Sequence, residues 1–367
     1  MSFICQHTPK AVEGLMRVRR GVSDPAKIRS RIFHDEESLR QFANSTEDVI
    51  LNIFENQRFT YNYDPGITLV GETDEAENWG AEYLRIRDVW QKIGSGEGVL
   101  VGIADTGIDP EHPAVNAEKV STFVEISSEG EITSNEMSDS QWHGTFCATI
   151  LNGKERNGFL RGVAPECDLL VAKVFDQWGS SLLSIHKAFE VFIENDVRVA
   201  SISLGYAGKQ DAWLGIVNEF VDNGGIVVAG IGNDFTSFNP SISPGNYPTG
   251  LVIGVGAHSI DREVWPKSGG EVIDWQENGG ATIKPDVVAP GFGIISSGTD
   301  GTFRIENGTS YATPHIAGLL ACIWSKDLSQ SNEQVVDTLR SCIVDAGSIG
   351  PDTRFGQGYV DISKLIS

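Results

Sequence analysis

The sequence predicts an α/β protein with a doubly wound, mostly parallel sheet and helices on both faces, preceded by a small α+β domain. Three observations predict this architecture. Short, fully apolar runs of strand length recur from residue 78 onwards. Helical stretches alternate with these runs, which is typical of a parallel sheet that is buried on both faces. The first 77 residues instead hold short alternating stretches broken by turn residues.

Length and composition agree with two domains. The chain has 367 residues, and a domain typically takes about 150 residues. Hydrophobic residues make up 40% of the chain and charged residues 21%, which excludes a disordered chain and a small disulfide scaffold. We divide the chain into residues 1–77, an α+β domain with an acidic linker, and residues 78–367, the α/β domain.

The N-terminal domain is expected to combine short strands with one helix. Alternation predicts a strand over Glu13–Arg19. Asp24 and Pro25 form a helix start, and the helix is expected to run toward Phe42 with a break near His34. Turn residues separate three further predicted strands, which are Asp48–Phe54, Arg58–Tyr63 and Ile67–Val70. The acidic stretch GETDEAEN at 71–78 is expected to be the linker.

The main domain is expected to alternate strands and helices. The predicted strands are Gly98–Ala104, Leu169–Phe175, Val199–Leu204, Gly225–Gly230 and Leu251–Val255. The predicted helices between them are Trp142–Asn152, Leu182–Asn195 and Ala212–Asn223. Ligands of parallel sheets bind beyond the carboxyl ends of the strands, so chemistry is expected at the residues that follow each run.

Polar residues with catalytic side chains stand at these positions. Asp105 follows the first apolar run, and Asn233 follows the run that ends at Gly230. His143 opens a helical segment, and Ser310 lies in a Gly-Thr-Ser turn that leads into a long apolar helix. A serine hydroxyl needs a base to accept its proton, so a carboxylate, an imidazole and a serine together indicate nucleophilic acyl transfer.

The motifs DTGID, HGT and GTSYATPH stand in the order Asp, His, Ser, with GND after VVAG and with RGVAPECDLLVAKVF and KPDVVAPG as secondary markers. From about Trp79 to its end, the chain resembles the subtilisin-like serine protease (subtilase) family. The resemblance implies a serine endopeptidase that cleaves peptides or proteins. It implies Asp105, His143 and Ser310 as the triad, and Asn233 with the backbone N–H of Ser310 as the oxyanion hole.

The resemblance also implies a set of substrate-binding residues. One segment is expected to pair with the peptide backbone and another to form the opposite wall of the main specificity pocket; they are Gly179, Ser180 and Ser181, and Ser203, Leu204 and Gly205. Asp234 lies near the rim of that pocket and suggests basic or polar substrate residues. Ile242 stands where the family often has a glycine at the pocket base, which suggests a shortened pocket. The two cues do not agree on one specificity.

The resemblance requires no cofactor for catalysis, and it raises the question of calcium. The family's strong calcium site uses an acidic residue where this chain has Ala114. The loop that would supply other ligands carries Lys154 and Arg156, and cations oppose a cage of oxygen ligands. We expect this calcium site to be lost, with a calcium site elsewhere left open.

Residues 1–77 resemble the family's inhibitory pro-domain in position and size. They are expected to be an intramolecular inhibitor and folding aid of a zymogen, or else a retained accessory domain. For the whole chain, the alternative to an active protease is a catalytically quiet scaffold that acts as a binding or regulatory module. Such a scaffold is expected to lose at least one of Asp105, His143, Asn233 and Ser310, and all four are present.

Charge and cysteine content bear on partners and location. The net charge is −22, of which residues 1–77 carry −4 and the remainder −18. An acidic surface argues against nucleic-acid and membrane partners and favours cationic substrate segments. Five scattered cysteines without a CxxC pair, and an N-terminus without a signal-peptide core, predict a cytoplasmic protein; export by another route and the oligomeric state stay open. Cys147 lies one helical turn from His143, so it is expected to pack in the core or to be a reactive thiol near the site, and His315 is expected to be packing.

Overall fold

The computed structural model of the chain describes residues 2–8, 29–45, 49–59, 67–69, 77–155, 162–176, 179–275, 281–299 and 301–366. The strand predicted over Glu13–Arg19 and the helix start at Asp24 and Pro25 lie outside these residues. So does most of the acidic linker. Among the helices of the described part, none is long and apolar enough to span a membrane.

The described residues form strands and helices in both the N-terminal region and the main domain. The elements of residues 1–77 are β1 (Phe3–Thr8), β2 (Arg29–Phe33), α1 (Glu36–Ser45), β3 (Val49–Glu55), β4 (Arg58–Phe59) and β5 (Ile67–Leu69). Those of the first half of the main domain are α2 (Trp79–Tyr83), α3 (Ile86–Lys92), β6 (Leu100–Asp105), β7 (Val120–Ile126), β8 (Ile132–Ser134), α4 (His143–Asn152), β9 (Asp168–Lys173), β10 (Ser180–Ser181), α5 (Leu182–Glu194), β11 (Val199–Ile202), β12 (Tyr206–Ala207) and α6 (Leu214–Asp222). The rest are β13 (Ile226–Gly230), β14 (Ile242–Ser243), β15 (Val252–His258), β16 (Glu271–Asp274), β17 (Ala281–Lys284), β18 (Val287–Pro290), β19 (Ile294–Ser297), β20 (Phe303–Glu306), α7 (Thr309–Ser325), α8 (Asn332–Ser341), β21 (Ile343–Val344), β22 (Tyr359–Val360) and α9 (Ser363–Ile366).

A large central sheet organises the main domain. Within the described residues its strand order is β21-β22-β18-β15-β13-β11-β6-β9-β7-β8. Every neighbouring pair from β22 to β7 is parallel, and only the two outermost pairs are antiparallel. The five apolar runs predicted as strands are β6, β9, β11, β13 and β15, and they form the middle of this sheet.

Helices cover both faces of the sheet, which confirms the predicted doubly wound α/β class. One buried apolar cluster contains residues of α4 and α7 with alternate residues of the central strands, among them Val101 and Val228. The second contains residues of α5 and α6 with the intervening strand residues, among them Ala200 and Val227. Successive strand side chains point to opposite faces, so fully apolar strands supply both clusters.

The N-terminal residues form a separate three-stranded antiparallel sheet with the order β2-β1-β3. The helix predicted to run from Asp24 toward Phe42 is wrong in its first part, because Arg29–Phe33 is a strand that pairs with β1. The helix begins at Glu36 after the break at His34, where a side-chain oxygen of Asp35 accepts from the backbone N–H of Ser38 at 2.7 Å. A sheet partner more than twenty residues away overrode the local helix signal.

This small sheet packs against α5 and α6 of the main domain. Ile4 is fully buried in the apolar cluster that these two helices share. Ser30 Oγ lies 2.9 Å from Nε2 of His186 on α5, and Gln6 donates from its side-chain amide to the carbonyl of Asp211. The interface between the small sheet and the main domain therefore combines apolar packing with hydrogen bonds between residues that are far apart in sequence.

Candidate active site

The candidate site lies at the carboxyl end of β6, next to the start of α4. A Cβ atom on Gly144 would lie 2.2 Å from the carbonyl oxygen of Gly107, so only glycine fits at this contact. Gly107 itself has φ +121° and lies against the backbone of Ser138. These two glycines of the DTGID and HGT motifs let the end of β6 and the start of α4 approach, which brings Asp105 to His143.

Asp105 and His143 form a buried pair. Nδ1 of His143 lies 2.7 Å from Oδ1 of Asp105, and both side chains are only 1% exposed. The same carboxylate oxygen accepts from the backbone N–H of Thr106 at 2.7 Å. A carboxylate oxygen can only accept, so Nδ1 carries the proton and Nε2 is the nitrogen that can act as a base.

The carboxylate of Asp139 links the segment that follows β6 to the start of α4. Asp139 accepts from the hydroxyl of Thr106 at 2.8 Å and from the backbone N–H of Thr145 at 2.9 Å. Thr106 Oγ1 in turn accepts from the backbone N–H of Gly144 at 2.8 Å. Sequence reasoning missed Thr106 and Asp139, because Asp139 stands in a polar loop with no pattern to single it out. Adjacency to Asp105 in the motif was the one available signal for Thr106.

Ser310 is the second residue of α7 and lies against the end of β11. Its hydroxyl donates to the carbonyl of Ser203 at 3.2 Å, while the hydroxyl of Ser203 donates to the carbonyl of Ser310 at 2.7 Å. Sγ of Cys147 lies 3.5 Å from the carbonyl oxygen of Ser310 and 3.9 Å from each ring nitrogen of His143. One buried thiol therefore touches both catalytic candidates, and the structure brings Asp105, His143 and Ser310 to one place.

Asn233 lies beside the start of α7 with its amide oriented by Thr309. Its Oδ1 accepts from the backbone N–H and from the hydroxyl of Thr309, both at 2.9 Å. Nδ2 faces Gly308, and a Cβ atom there would lie 3.5 Å from it. The bonds at Oδ1 fix the amide plane, so Nδ2 is the end that can donate to a ligand at the helix N-terminus. Sequence reasoning missed Thr309, although it stands directly before Ser310.

Within the described part of the chain, Asp105, His143 and Cys147 form a cluster of side chains of the types that bind metal ions. The carboxylate and Nδ1 are at direct hydrogen-bonding distance, which leaves no room for an ion between them. Burial raises the pKa of the Cys147 thiol, so the sulfur is protonated at neutral pH. The group suits a hydrogen-bonded pair better than a resident metal centre.

The segment predicted to bind the peptide backbone borders α5. Ser181 caps this helix: its hydroxyl accepts from the backbone N–H of Ser184 at 3.0 Å. Gly179 precedes it with φ +115°. Ser180 and Ser181 form β10, and β4 of the N-terminal region pairs with them in antiparallel register. A strand of the chain itself therefore occupies this edge.

The opposite segment, Ser203–Gly205, follows β11 directly. Ser203 contacts Ser310, as described above, and Leu204 is buried in the cluster beneath α5 and α6. Asp234 is exposed and begins the loop after Asn233. Of the seven predicted substrate-binding residues, Ser203 contacts Ser310, Leu204 and Gly205 follow it after β11, Asp234 follows Asn233, and Gly179–Ser181 lead into α5.

The positions relevant to the predicted calcium loss lie at the far end of α4. Ala114 is buried, and its carbonyl accepts from the backbone N–H of Lys154 at 3.1 Å. Nζ of Lys154 lies 3.3 Å from a carboxylate oxygen of Glu118. Arg156 lies outside the described residues. An ammonium group therefore lies beside the Glu118 carboxylate near this segment.

A comparison with known protein families identifies the family of this chain. The sequence model of the subtilase family of S8 peptidases matches residues 96–358, which include Asp105, His143, Asn233 and Ser310. The chain belongs to the subtilase family. This subtilase is a subtilisin-like serine protease, a hydrolase whose substrates are peptides or proteins.

Several curated relatives of this subtilase come from Bacillus species. It is 30% identical to subtilisin E of Bacillus subtilis over 308 residues, which cover 82% of this chain and 75% of the relative. It is 32% identical to subtilisin of Bacillus pumilus over 271 residues, 73% of this chain and 90% of the relative. It is 27% identical to the minor extracellular protease Epr of Bacillus subtilis over 335 residues, 89% of this chain and 48% of the relative.

Proposed function

We propose that this subtilase is an active serine endopeptidase in which Ser310 attacks the substrate carbonyl and His143 takes its proton. The observation that carries the proposal is the buried Asp105–His143 pair at 2.7 Å, because it holds the imidazole with Nε2 unprotonated. As the Oγ–carbon bond forms, the hydroxyl proton passes to Nε2. His143 then returns that proton to the leaving amine as the peptide bond breaks. Water hydrolyses the acyl-enzyme by the same two proton transfers and regenerates Ser310.

The negative charge of the tetrahedral intermediate would be stabilised by Nδ2 of Asn233 and the backbone N–H of Ser310. Thr309 supports this assignment, because its two bonds to Oδ1 turn the amide nitrogen outward without any reorganisation during the reaction. The start of α7, a helix of 17 residues, adds the positive end of its dipole at the same point.

A fluorophosphonate probe tests this proposal. We expect covalent labelling of the wild-type chain, no labelling of Ser310→Ala, and labelling slowed by about 10⁴-fold in Asp105→Asn, where the histidine tautomer is no longer held. Ser329→Ala, which removes an exposed hydroxyl, is the matched control and is expected to label normally. A wild-type chain that stays unlabelled under every processing condition would instead support the quiet binding scaffold.

We infer that residues 1–77 inhibit this site until they are removed. β4 supports the inference, because it is hydrogen-bonded to Ser180 and Ser181, the edge proposed to pair with substrate. An extended substrate that adds a strand to this edge needs the same backbone groups. β5 pairs with β20, which ends four residues before Ser310. Both strands thus pair with elements of the main domain, β4 with β10 and β5 with β20.

Polar contacts at the start of α5 hold the N-terminal region in this position. The backbone N–H of Leu182 donates to the carbonyl of Gln57 at 2.9 Å, and that of Leu183 donates to Oδ1 of Asn56 at 3.2 Å. Asn56 also donates from Nδ2 to the carbonyl of Ser128 at 2.9 Å. The first N–H groups of a helix have no partners within it, so this loop serves as an external cap of α5.

Loosening this cap tests the inhibitor hypothesis. We expect Asn56→Ala to shorten the lag before full activity on a peptide substrate. Asn52→Ala, a change within β3 of the small sheet, is the control for a general loss of stability. Wild-type and Ser310→Ala proteins purified side by side should differ, with only the wild type losing its N-terminal fragment. If the wild-type chain stays intact and fully active, residues 1–77 are an accessory domain instead.

A further inference from the structure

The two chain segments that follow β11 and β13 define the space beside the nucleophile. Ser310 donates to the carbonyl of Ser203 after β11, and Asn233 follows β13. β11 and β13 are parallel neighbours, so their extensions run side by side. On the proposed function, the attacked carbonyl lies between Ser310 and Asn233. The gap between the segments Ser203–Gly205 and Ile231–Asn233 borders this position, and on the proposed function it receives the side chain of the residue that supplies the carbonyl.

The side chain of Ile242 fills this gap. A Cβ atom on Gly205 would lie 2.7 Å from Cδ1 and 3.0 Å from Cγ1 of Ile242. A Cβ atom on Gly232, in the other segment, would lie 3.1 Å from Cγ2 of the same residue. The two glycines therefore face each other across one isoleucine, and even a methyl group on Gly205 would displace it.

The backbone of Ile242 is bonded to both sides of the gap. Its N–H donates to the carbonyl of Ile231 at 3.0 Å, and β14, which begins at Ile242, pairs with β12, where Ala207 is its partner. The carbonyl of Ile242 accepts from the backbone N–H of Asn246 at 3.0 Å. A β-branched side chain has few rotamers, so a residue anchored in this way has little freedom to swing aside.

We infer that Ile242 restricts the residue on the acyl side of the cleaved bond to glycine or alanine. The inference rests on the proposed function and names the substrate class of the same site. Larger side chains, apolar or basic, would need the volume that Ile242 occupies. Asp234 at the rim would otherwise have favoured lysine or arginine, but a long cationic side chain has to pass the same isoleucine.

A series of Ala-Ala-Ala-Xaa p-nitroanilides tests the restriction, with Xaa as glycine, alanine, leucine, phenylalanine or lysine. For the wild-type chain we expect kcat/KM with alanine to exceed that with phenylalanine by about 100-fold or more, because a single misfitting methylene already costs about 10- to 200-fold. In Ile242→Gly the phenylalanine substrate should gain about 100-fold, while the alanine substrate changes by only about threefold.

Controls separate this inference from the proposed function and from folding defects. Ile242→Ala keeps a Cβ atom and should give an intermediate ratio, and Ile349→Gly, at a fully exposed isoleucine, should keep the wild-type ratio. A partly unfolded preparation lowers both rates together and leaves the ratio unchanged. Fluorophosphonate labelling counts active Ser310 in each sample, so an unlabelled wild type defeats the proposed function. A labelled wild type that prefers phenylalanine or leucine, or an unchanged ratio in labelled Ile242→Gly, overturns the role of Ile242.

Discussion

Ser310, at the start of α7, is contacted by residues of α4 and of the segment after β11, and Asn233 after β13 is bonded to the same helix start. Ser203 bonds to it twice, Thr309 orients its partner Asn233, and Cys147 touches its carbonyl. The residues that would do chemistry could be found from the sequence because each stands directly after an apolar run or before a helix. Cys147 was expected near the site from its spacing to His143, but Asp139 and Thr309 could not be found in this way, since each acquires its contacts only when distant segments of the chain meet.

The position of Cys147 predicts sensitivity to soft metals. A mercury ion bound to its sulfur would lie within reach of both nitrogens of His143, so we expect mercuric chloride to abolish peptidase activity. Because burial raises the thiol pKa, iodoacetamide, which needs a thiolate, should act slowly. Peptidase assays with Cys147→Ala should show resistance to mercury. Cys342→Ala, which removes a buried cysteine of another element, should remain sensitive; equal sensitivity of both variants would contradict the assignment.

At the scale of elements, the contact between Gly107 and Gly144 sets where α4 begins. We expect Gly144→Ala to lower both the melting temperature and kcat/KM, because its Cβ atom would meet a backbone oxygen at 2.2 Å and push the helix that carries His143. A displacement of about 1 Å can cost about 100-fold in rate. Thermal unfolding and peptide hydrolysis measure the two effects.

Gly250→Ala is the matched control for this change, since a Cβ atom at Gly250 meets only the end of the Arg340 side chain at 3.0 Å. We expect it to keep near wild-type activity. If Gly144→Ala is equally benign, the close approach of the two turns is not what positions His143.

The elements differ in how far the sequence alone determines them. The central strands were predicted to within about three residues, because strands buried on both faces are apolar throughout and end abruptly at Gly, Asp or Ser. β2 was missed because its partner β1 stands in a different part of the sequence, and Arg29–Phe33 has no distinctive periodicity alone. The hairpin of β16 and β17 was missed although its strands are neighbours in the sequence, because each is only four residues long and neither is an apolar run.

At the scale of the whole molecule, two buried histidines predict acid sensitivity. Burial lowers the pKa of His258 to about 4 and that of His315 to about 3, against about 6.5 in an unfolded chain. Below pH 6.5 the unfolded chain binds protons that the folded chain does not, so the free energy of unfolding should fall as the pH drops from 6.5 toward 4. Each histidine contributes up to about 1.4 kcal/mol per pH unit in that window.

Urea unfolding at pH 7 and at several values down to pH 5 measures this slope. His258→Gln should reduce the slope of the unfolding free energy against pH by up to about 1.4 kcal/mol per pH unit, which is the contribution of one proton. This reduction is expected whatever the effect of the substitution on stability at pH 7. A wild-type slope retained in His258→Gln would show that other groups govern acid unfolding.

Calcium dependence is a second property of the whole fold. We expect EDTA to leave the melting temperature of the full chain unchanged, since Lys154 faces Glu118 near the segment where calcium ligands would be needed. The measurement is differential scanning calorimetry with EDTA, followed by added calcium. A large drop that calcium reverses would contradict the expectation, and Lys154→Ala would then test whether this segment is responsible.

On the proposed inhibitory role, β4 and β5 belong to the same polypeptide as the site that they block. Competition between a tethered strand and a substrate is set by the tether's effective concentration, which is in the millimolar range for short flexible connections. Diluting the protein therefore leaves this competition untouched, whereas a free inhibitor would be lost. If one molecule clips its own tether, the onset of activity follows first-order kinetics at every protein concentration; if molecules clip one another, it accelerates as the first active copies accumulate.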